Sequence, residues 1–78
     1  MVSHSVSLLE RITQTPGQCG GRPCIRGMRI RVSDILEMLS LNVSHDEILE
    51  DFPDLEPEDL QACLLFAAKR IDFPRLTA

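Results

Sequence analysis

The stretch Cys19-Gly20-Gly21-Arg22-Pro23-Cys24-Ile25-Arg26-Gly27-Met28-Arg29-Ile30-Arg31-Val32 decides the fold, because one kind of chain ends in it and another begins. It holds two of the three cysteines, three of the four glycines and four of the eight basic residues. Gly20-Gly21 is a point where positive φ costs little, and Pro23 suits the first position of a strand, where a missing donor is tolerated. Pro23-Cys24-Ile25-Arg26 therefore reads as a short strand returning toward a second one at Arg11-Ile12-Thr13, and Gly27 ends it. Pro16-Gly17 supplies a turn between the two. A two-stranded element of this size is unstable unless something packs on it.

From Val32 onward the period becomes helical. Val32, Ile35, Leu36 and Leu39 recur at the spacing of one helix face, and Asn42 is placed to stop that helix in the left-handed conformation. Ser44-His45-Asp46-Glu47 is a capping box that opens a second helix, with Val43 and Ile48 positioned as a hydrophobic staple. Pro53 ends this helix at Phe52, since the residue before proline is driven out of the helical region. A third helix starts at Pro57, with Glu58 and Asp59 complementing its dipole, although Glu56 is a poor cap. Leu60, Cys63, Leu64, Ala67 and Ile71 form one apolar stripe on it, and Ala62, Leu65 and Phe66 a second beside it. So wide an apolar surface calls for burial on two sides. In a chain this small, the second side is expected to be another subunit of a homodimer.

The expected architecture is therefore mainly α: a three-helix bundle of helix-turn-helix type with a short N-terminal two-stranded β element. Residues 8–71 form the domain, between a flexible tail at 1–7 and a C-terminal tail at 72–78. At 78 residues this is one domain near the lower size limit for folding alone. No apolar run approaches a membrane span and Leu8-Leu9 is too short for a signal peptide, so no membrane association is expected. An odd number of cysteines implies no closed disulfide framework, and a reduced, cytoplasmic protein is expected. The net charge of −4 hides an asymmetry. Residues 1–31 carry five arginines against Glu10 alone, a net of +4, and residues 32–78 carry three basic residues against eleven acids, a net of −8. Such polarity suits electrostatic pairing within a dimer or with a charged partner.

Several chemistries fail on counting. Cys19 and Cys24 lack the second ligand pair of a structural zinc site, so no metal is expected; a Cys19–Cys24 disulfide is conceivable only under oxidation. No cofactor is indicated either. No nucleophile, base and pocket converge: His4 falls in the tail, and His45 sits among Asp46, Glu47 and Glu50 on a surface helix, so the protein reads as non-enzymatic. Gly20-Gly21-Arg22 lacks the rest of a phosphate loop, and the glycines are read as turn formers. Nucleic acid is the serious candidate. Arg22, Arg26, Arg29 and Arg31 alternate with small or apolar residues in a segment able to present guanidinium groups to phosphates or guanine edges. Against it, the third helix opens with Glu56, Glu58 and Asp59, which would repel phosphate. Arg22, Arg26 and Arg29 could equally pair with Asp34, Glu50, Asp51 or Asp54 and pin the β element to the bundle.

Leu9-Glu10-Arg11-Ile12-Thr13, the Cys19 to Ile30 segment, Val32-Ser33-Asp34-Ile35-Leu36, Ile48-Leu49-Glu50-Asp51-Phe52-Pro53-Asp54-Leu55 and Glu58-Asp59-Leu60 together resemble the domain of unknown function 433 family. The similarity runs from Leu8 to Ala68, and its Cys-Gly-Gly-Arg-Pro-Cys-Ile-Arg-Gly core is specific. Met28 stands where Thr is commoner, Arg31 where Pro is frequent and Glu56 where Ser or Thr would cap. The resemblance implies a homeodomain-like helical fold in a small prokaryotic protein. Many members are encoded beside PIN-like nucleases and are regarded as VapB-type antitoxins. The expectation that follows is an antitoxin that binds a PIN-like ribonuclease toxin and represses its own promoter as a DNA-binding dimer. DNA would meet Arg22, Arg26, Arg29 and Arg31. The toxin would meet Leu65, Phe66, Phe73 and Leu76, since large apolar groups dominate interface energetics. The rival expectation is a non-catalytic protein–protein interaction module without nucleic-acid binding.

Overall fold

The computed structural model describes residues 7–71 and is mainly helical, with one short two-stranded antiparallel sheet. Residues 7–9 are helical. The tails expected at residues 1–6 and 72–78, including Phe73 and Leu76, lie outside the described residues. Strand β1 (Ile12–Thr13) pairs with β2 (Cys24–Ile25), setting Ile12 opposite Ile25 and Thr13 opposite Cys24. Between them Cys19–Gly21 forms a 3₁₀ turn in which Cys19, Gly20 and Gly21 all have positive φ.

The chain leaves β2 through a tight turn closed by the Met28 amide donating to the Ile25 carbonyl at 2.8 Å. Both central residues are left-handed, Arg26 at φ 47° and Gly27 at φ 73°. That is the pattern of a primed turn, which glycine accepts without strain and arginine does not. The returning segment then runs back beside β2, where Arg31 bridges Cys24 and the Ile25 amide donates to Ile30.

Helix α1 (Val32–Ser40) begins where the period changes, with Arg31 as a cap that offers no side-chain hydrogen bond. It ends in a Schellman motif: Asn42 at φ 69°, with the Val43 amide donating to Met38 and the Asn42 amide to Leu39. Helix α2 (His45–Asp51) carries the capping box, Ser44 Oγ accepting from the Glu47 amide and Glu47 accepting from the Ser44 amide. Ser44→Ala is expected to cost about 1 kcal/mol, read as a lower thermal midpoint, because one orphan donor loses its partner.

Helix α3 (Pro57–Ile71) packs across both shorter helices and β1. Ile25, Val32, Ile35, Ile48, Leu55, Leu60 and Cys63 meet in one core, onto which Ile12, Met28 and Ile30 fold from the β element. This covers the small sheet, which could not stand alone. One expectation fails on α3. Leu64 and Ile71, read on one apolar stripe with Leu60 and Cys63, are 45% and 62% exposed, whereas Asp59, Leu60, Cys63 and, from the second strip, Ala62 are fully buried. The helix is rotated toward Asp59 and Ala62 because the carboxylate at position 59 has partners beneath it, and its last turns extend past the shorter helices.

Candidate functional site

Where β2, the turn after it and the start of α3 meet, four charged side chains converge. Arg26, lifted out of β2 by its left-handed backbone, lays its guanidinium against Asp59, Nε to Oδ1 at 3.0 Å and Nη2 to Oδ2 at 2.8 Å. The same Nη2 donates to the Asp54 carbonyl at 2.8 Å. Arg11, just before β1, donates through Nη1 to Asp59 Oδ1 at 3.0 Å and to Glu56 Oε1 at 2.8 Å. Asp59 Oδ2 also accepts from the Glu56 amide at 2.7 Å. Asp59 thus lies at the third helical position and reaches back to the residue before Pro57, which supplies the capping that Glu56 itself does not.

Asp59 has no solvent exposure, and every buried side-chain polar atom among the described residues is hydrogen-bonded. Burial, the largest single influence, pushes its carboxyl up. Hydrogen bonds from Arg26, the Glu56 amide and Arg11 outweigh that together, and the group is held below its ordinary value as a carboxylate. Arg11 and Arg26 are correspondingly held more firmly charged, Arg11 chiefly by Glu56 and then Asp59, Arg26 chiefly by Asp59. Both arginines keep partial contact with solvent, at 27% and 35% side-chain exposure. The cluster is a strut between sheet and helix: both oxygens of the buried Asp59 carboxylate are engaged, and Glu56 keeps the solvent-facing end.

The arginines singled out for DNA therefore divide. Arg26 is committed to Asp59, so it is not a free cation for phosphate. Arg31 pairs with Asp34 one turn on, Nε to Oδ2 at 3.2 Å, with both side chains 40% or more exposed. That pair is weak enough to exchange. Arg22 and Arg29 are exposed, and neither meets a carboxylate among the described residues. Of the acids expected to pair internally, Asp34 takes Arg31, and Asp54 contributes only its carbonyl. The principal carboxylate, Asp59, and the second arginine, Arg11, stand outside the expected set. The capping bond of Asp59 has a local signal, an acid three residues after a capless residue and just inside Pro57, but its ion pairs and Arg11 have none.

On the apolar side, Pro23, Val32, Leu36, Phe66, Ala67 and Ile71 line a shallow groove of about 250 Å³ between β2, α1 and the end of α3, with Arg70 at its rim. The Arg70 guanidinium stands 5.0 Å from the Phe66 ring centroid, a cation–π contact. Leu65 lies half-buried on a neighbouring face with Ala68, Lys69 and Ile71. Of the residues assigned to a protein partner, Leu65 and Phe66 thus border this end of α3; the exposed Leu64 and Ile71 also belong to it. No group of three or more metal-ligating side chains occurs among the described residues, and no helix there is long and apolar enough to cross a membrane.

Comparison with known proteins agrees on the scaffold. The crystal structure of a DUF433 member from Anabaena variabilis ATCC 29413 superposes with a TM-score of 0.74 at 31% identity, covering 87% of this chain and 67% of that one. The uncharacterized protein y4eO of Sinorhizobium fredii (strain NBRC 101917 / NGR234) is 31% identical over 58 residues, which is 74% of this chain. The chain spans only 26% of that relative's length. The family model described as a protein of unknown function (DUF433) matches residues 12–67, from the first residue of β1 to the fourth turn of α3, and this chain belongs to that family.

Proposed function

We propose that this protein is a non-catalytic binding module of antitoxin type. It would seat a PIN-like ribonuclease on the apolar end of α3 and bind promoter DNA as a dimer through its exposed arginine segment, with the helix-turn-helix-like bundle as scaffold. The observation that carries the reading is the division among the arginines: Arg11, Arg26 and Arg31 are held by carboxylates, while Arg22 and Arg29 stand exposed with no carboxylate partner among the described residues. Two exposed cations flanking the β element, in a chain of net charge −4, favour an anionic partner. The internal pairs also soften the objection from α3. Arg11 and Arg26 offset two of the three carboxylates in its opening segment, leaving Glu58 as the exposed acid there with no basic partner among the described residues.

The nucleic-acid half is tested by anisotropy titration of the full chain against DNA from upstream of its own gene, over a range of salt. Affinity is expected to fall steeply with salt, and Arg22→Ala or Arg29→Ala to flatten the log–log slope by about one for each phosphate the variant no longer touches. Arg26→Ala is excluded from that comparison because it breaks the Asp59 cluster. An unchanged slope in the Arg22 and Arg29 variants would remove both from the interface. If no DNA binds at any salt, the rival reading, a protein–protein module alone, takes its place. Co-purification with a PIN-like ribonuclease encoded next to it, and loss of that complex in Leu65→Asp, test the other half.

A further inference from the structure

Cys19 and Cys24 are joined sulfur to sulfur across the Gly20-Gly21-Arg22-Pro23 turn. Their settings differ sharply. Cys24 is 1% exposed and fixed in β2, where it lies opposite Thr13 and bridges Arg31. Cys19 is half-exposed and belongs to the turn, at φ 53°, followed by two left-handed glycines that coil the chain back on itself. The third cysteine, Cys63, is wholly enclosed in the core, and burial with Asp59 nearby pushes its thiol up to about 12.

We infer that Cys19 and Cys24 form a reversible dithiol–disulfide site that exchanges with low-molecular-weight disulfides, entered at Cys19 and resolved by Cys24. The geometry prescribes the order. The Cys19 thiolate attacks one sulfur of the small disulfide, forming a mixed disulfide and expelling one thiolate. The Cys24 thiolate then attacks the Cys19 sulfur, closing the turn and expelling the second. The two protein thiols lose two protons and two electrons, and the small disulfide becomes two thiols.

The fold survives in either state because other bonds hold both ends. Pro23 accepts from the Val32 amide and Ile25 donates to Ile30, so β2 does not depend on the disulfide. Gln14 donates to the Gly21 carbonyl and Gln18 to that of Gly27, so the turn keeps its outline when open. What changes is the freedom of Gly20, Gly21 and Arg22. The site thereby sets how firmly Arg22 is presented, and it stands whether or not Arg22 meets nucleic acid.

The test uses the full chain, equilibrated in buffers of reduced and oxidised glutathione, acid-quenched, unfolded and alkylated with N-ethylmaleimide before intact-mass and peptide analysis. Of the three cysteines, all are expected to take the label in reducing buffer and one, Cys63, in oxidising buffer, with Cys19 linked to Cys24 and full reversal on adding reductant. Cys24→Ser is expected to trap glutathione on Cys19, and Cys19→Ser to slow reaction at position 24 by roughly tenfold or more, as an enclosed thiol requires. Three labels throughout the buffer series, a link that excess reductant does not open in the native chain, or glutathione on Cys24 in preference to Cys19 would each overturn the assignment.

Discussion

Replacing Asp59 by Asn is expected to destabilise the protein by about 2–4 kcal/mol at pH 7, the range for breaking a buried ion pair, lowered because both arginines keep some solvent. Asn has the right size but the wrong polarity. Both carboxylate oxygens are acceptors here, Oδ1 from Arg11 and Arg26 and Oδ2 from Arg26 and the Glu56 amide. Whichever way the amide is turned, its NH₂ points at donors. Two guanidinium groups are then left adjacent with only Glu56 to offset them, and α3 loses the bond that caps its start. A domain of this size has about 4–12 kcal/mol in all, so the urea midpoint is expected to fall by roughly 2 M or more.

The pH dependence identifies the cause. The folded-state carboxyl of Asp59 is held below its ordinary value of 3.8, so its stabilisation is complete above that value and is lost as pH falls through the lower folded value. The wild-type advantage over Asp59→Asn is therefore expected to be constant from about pH 6 upward and to shrink as the solution is acidified below about pH 4. Equal midpoints at pH 7 would mean that the cluster decorates the fold rather than holding it.

The helices are legible in the sequence because their signals are local. Asn42, the Ser44–Glu47 box and Pro53 each act within a turn of the chain they terminate or open, and each does so in the structure as its chemistry dictates. The existence of a two-stranded element is likewise read from turn residues, but its register, Ile12 opposite Ile25, and the narrower bounds Ile12–Thr13 and Cys24–Ile25 come from the structure. The pairing of Asp59 cannot be read locally, because an acid in the first turn of a helix looks the same whether it faces water or two arginines 33 and 48 residues away. Charge pairing across such separations has no period. The one other local trace is in the backbone: Arg26-Gly27 asks for a left-handed turn, which throws the Arg26 side chain out of the strand toward α3.

The inward face of α3 shows the same limit from the apolar side, and Leu60→Ala measures it. Leu60 is fully buried in the core that also holds Ile25 of the sheet, Ile35 of α1 and Ile48 of α2. Truncation is expected to cost about 3 kcal/mol, within the 2–5 kcal/mol range for buried Leu→Ala, from lost transfer energy and an unfilled cavity. Leu64→Ala, one turn on and on the same stripe by sequence, is expected to cost less than about 1 kcal/mol, because that side chain is 45% exposed and has less burial to lose. Unlike the Asp59 substitution, the Leu60 loss should keep the same size from about pH 4 to about pH 8, since no titrating group is removed. Helix propensity is nearly equal in the two leucine variants, so their difference reports the rotation of α3 about its own axis. Equal losses at 60 and 64 would turn that helix back toward the stripe its apolar residues suggest, and would take Asp59 away from its arginines with it.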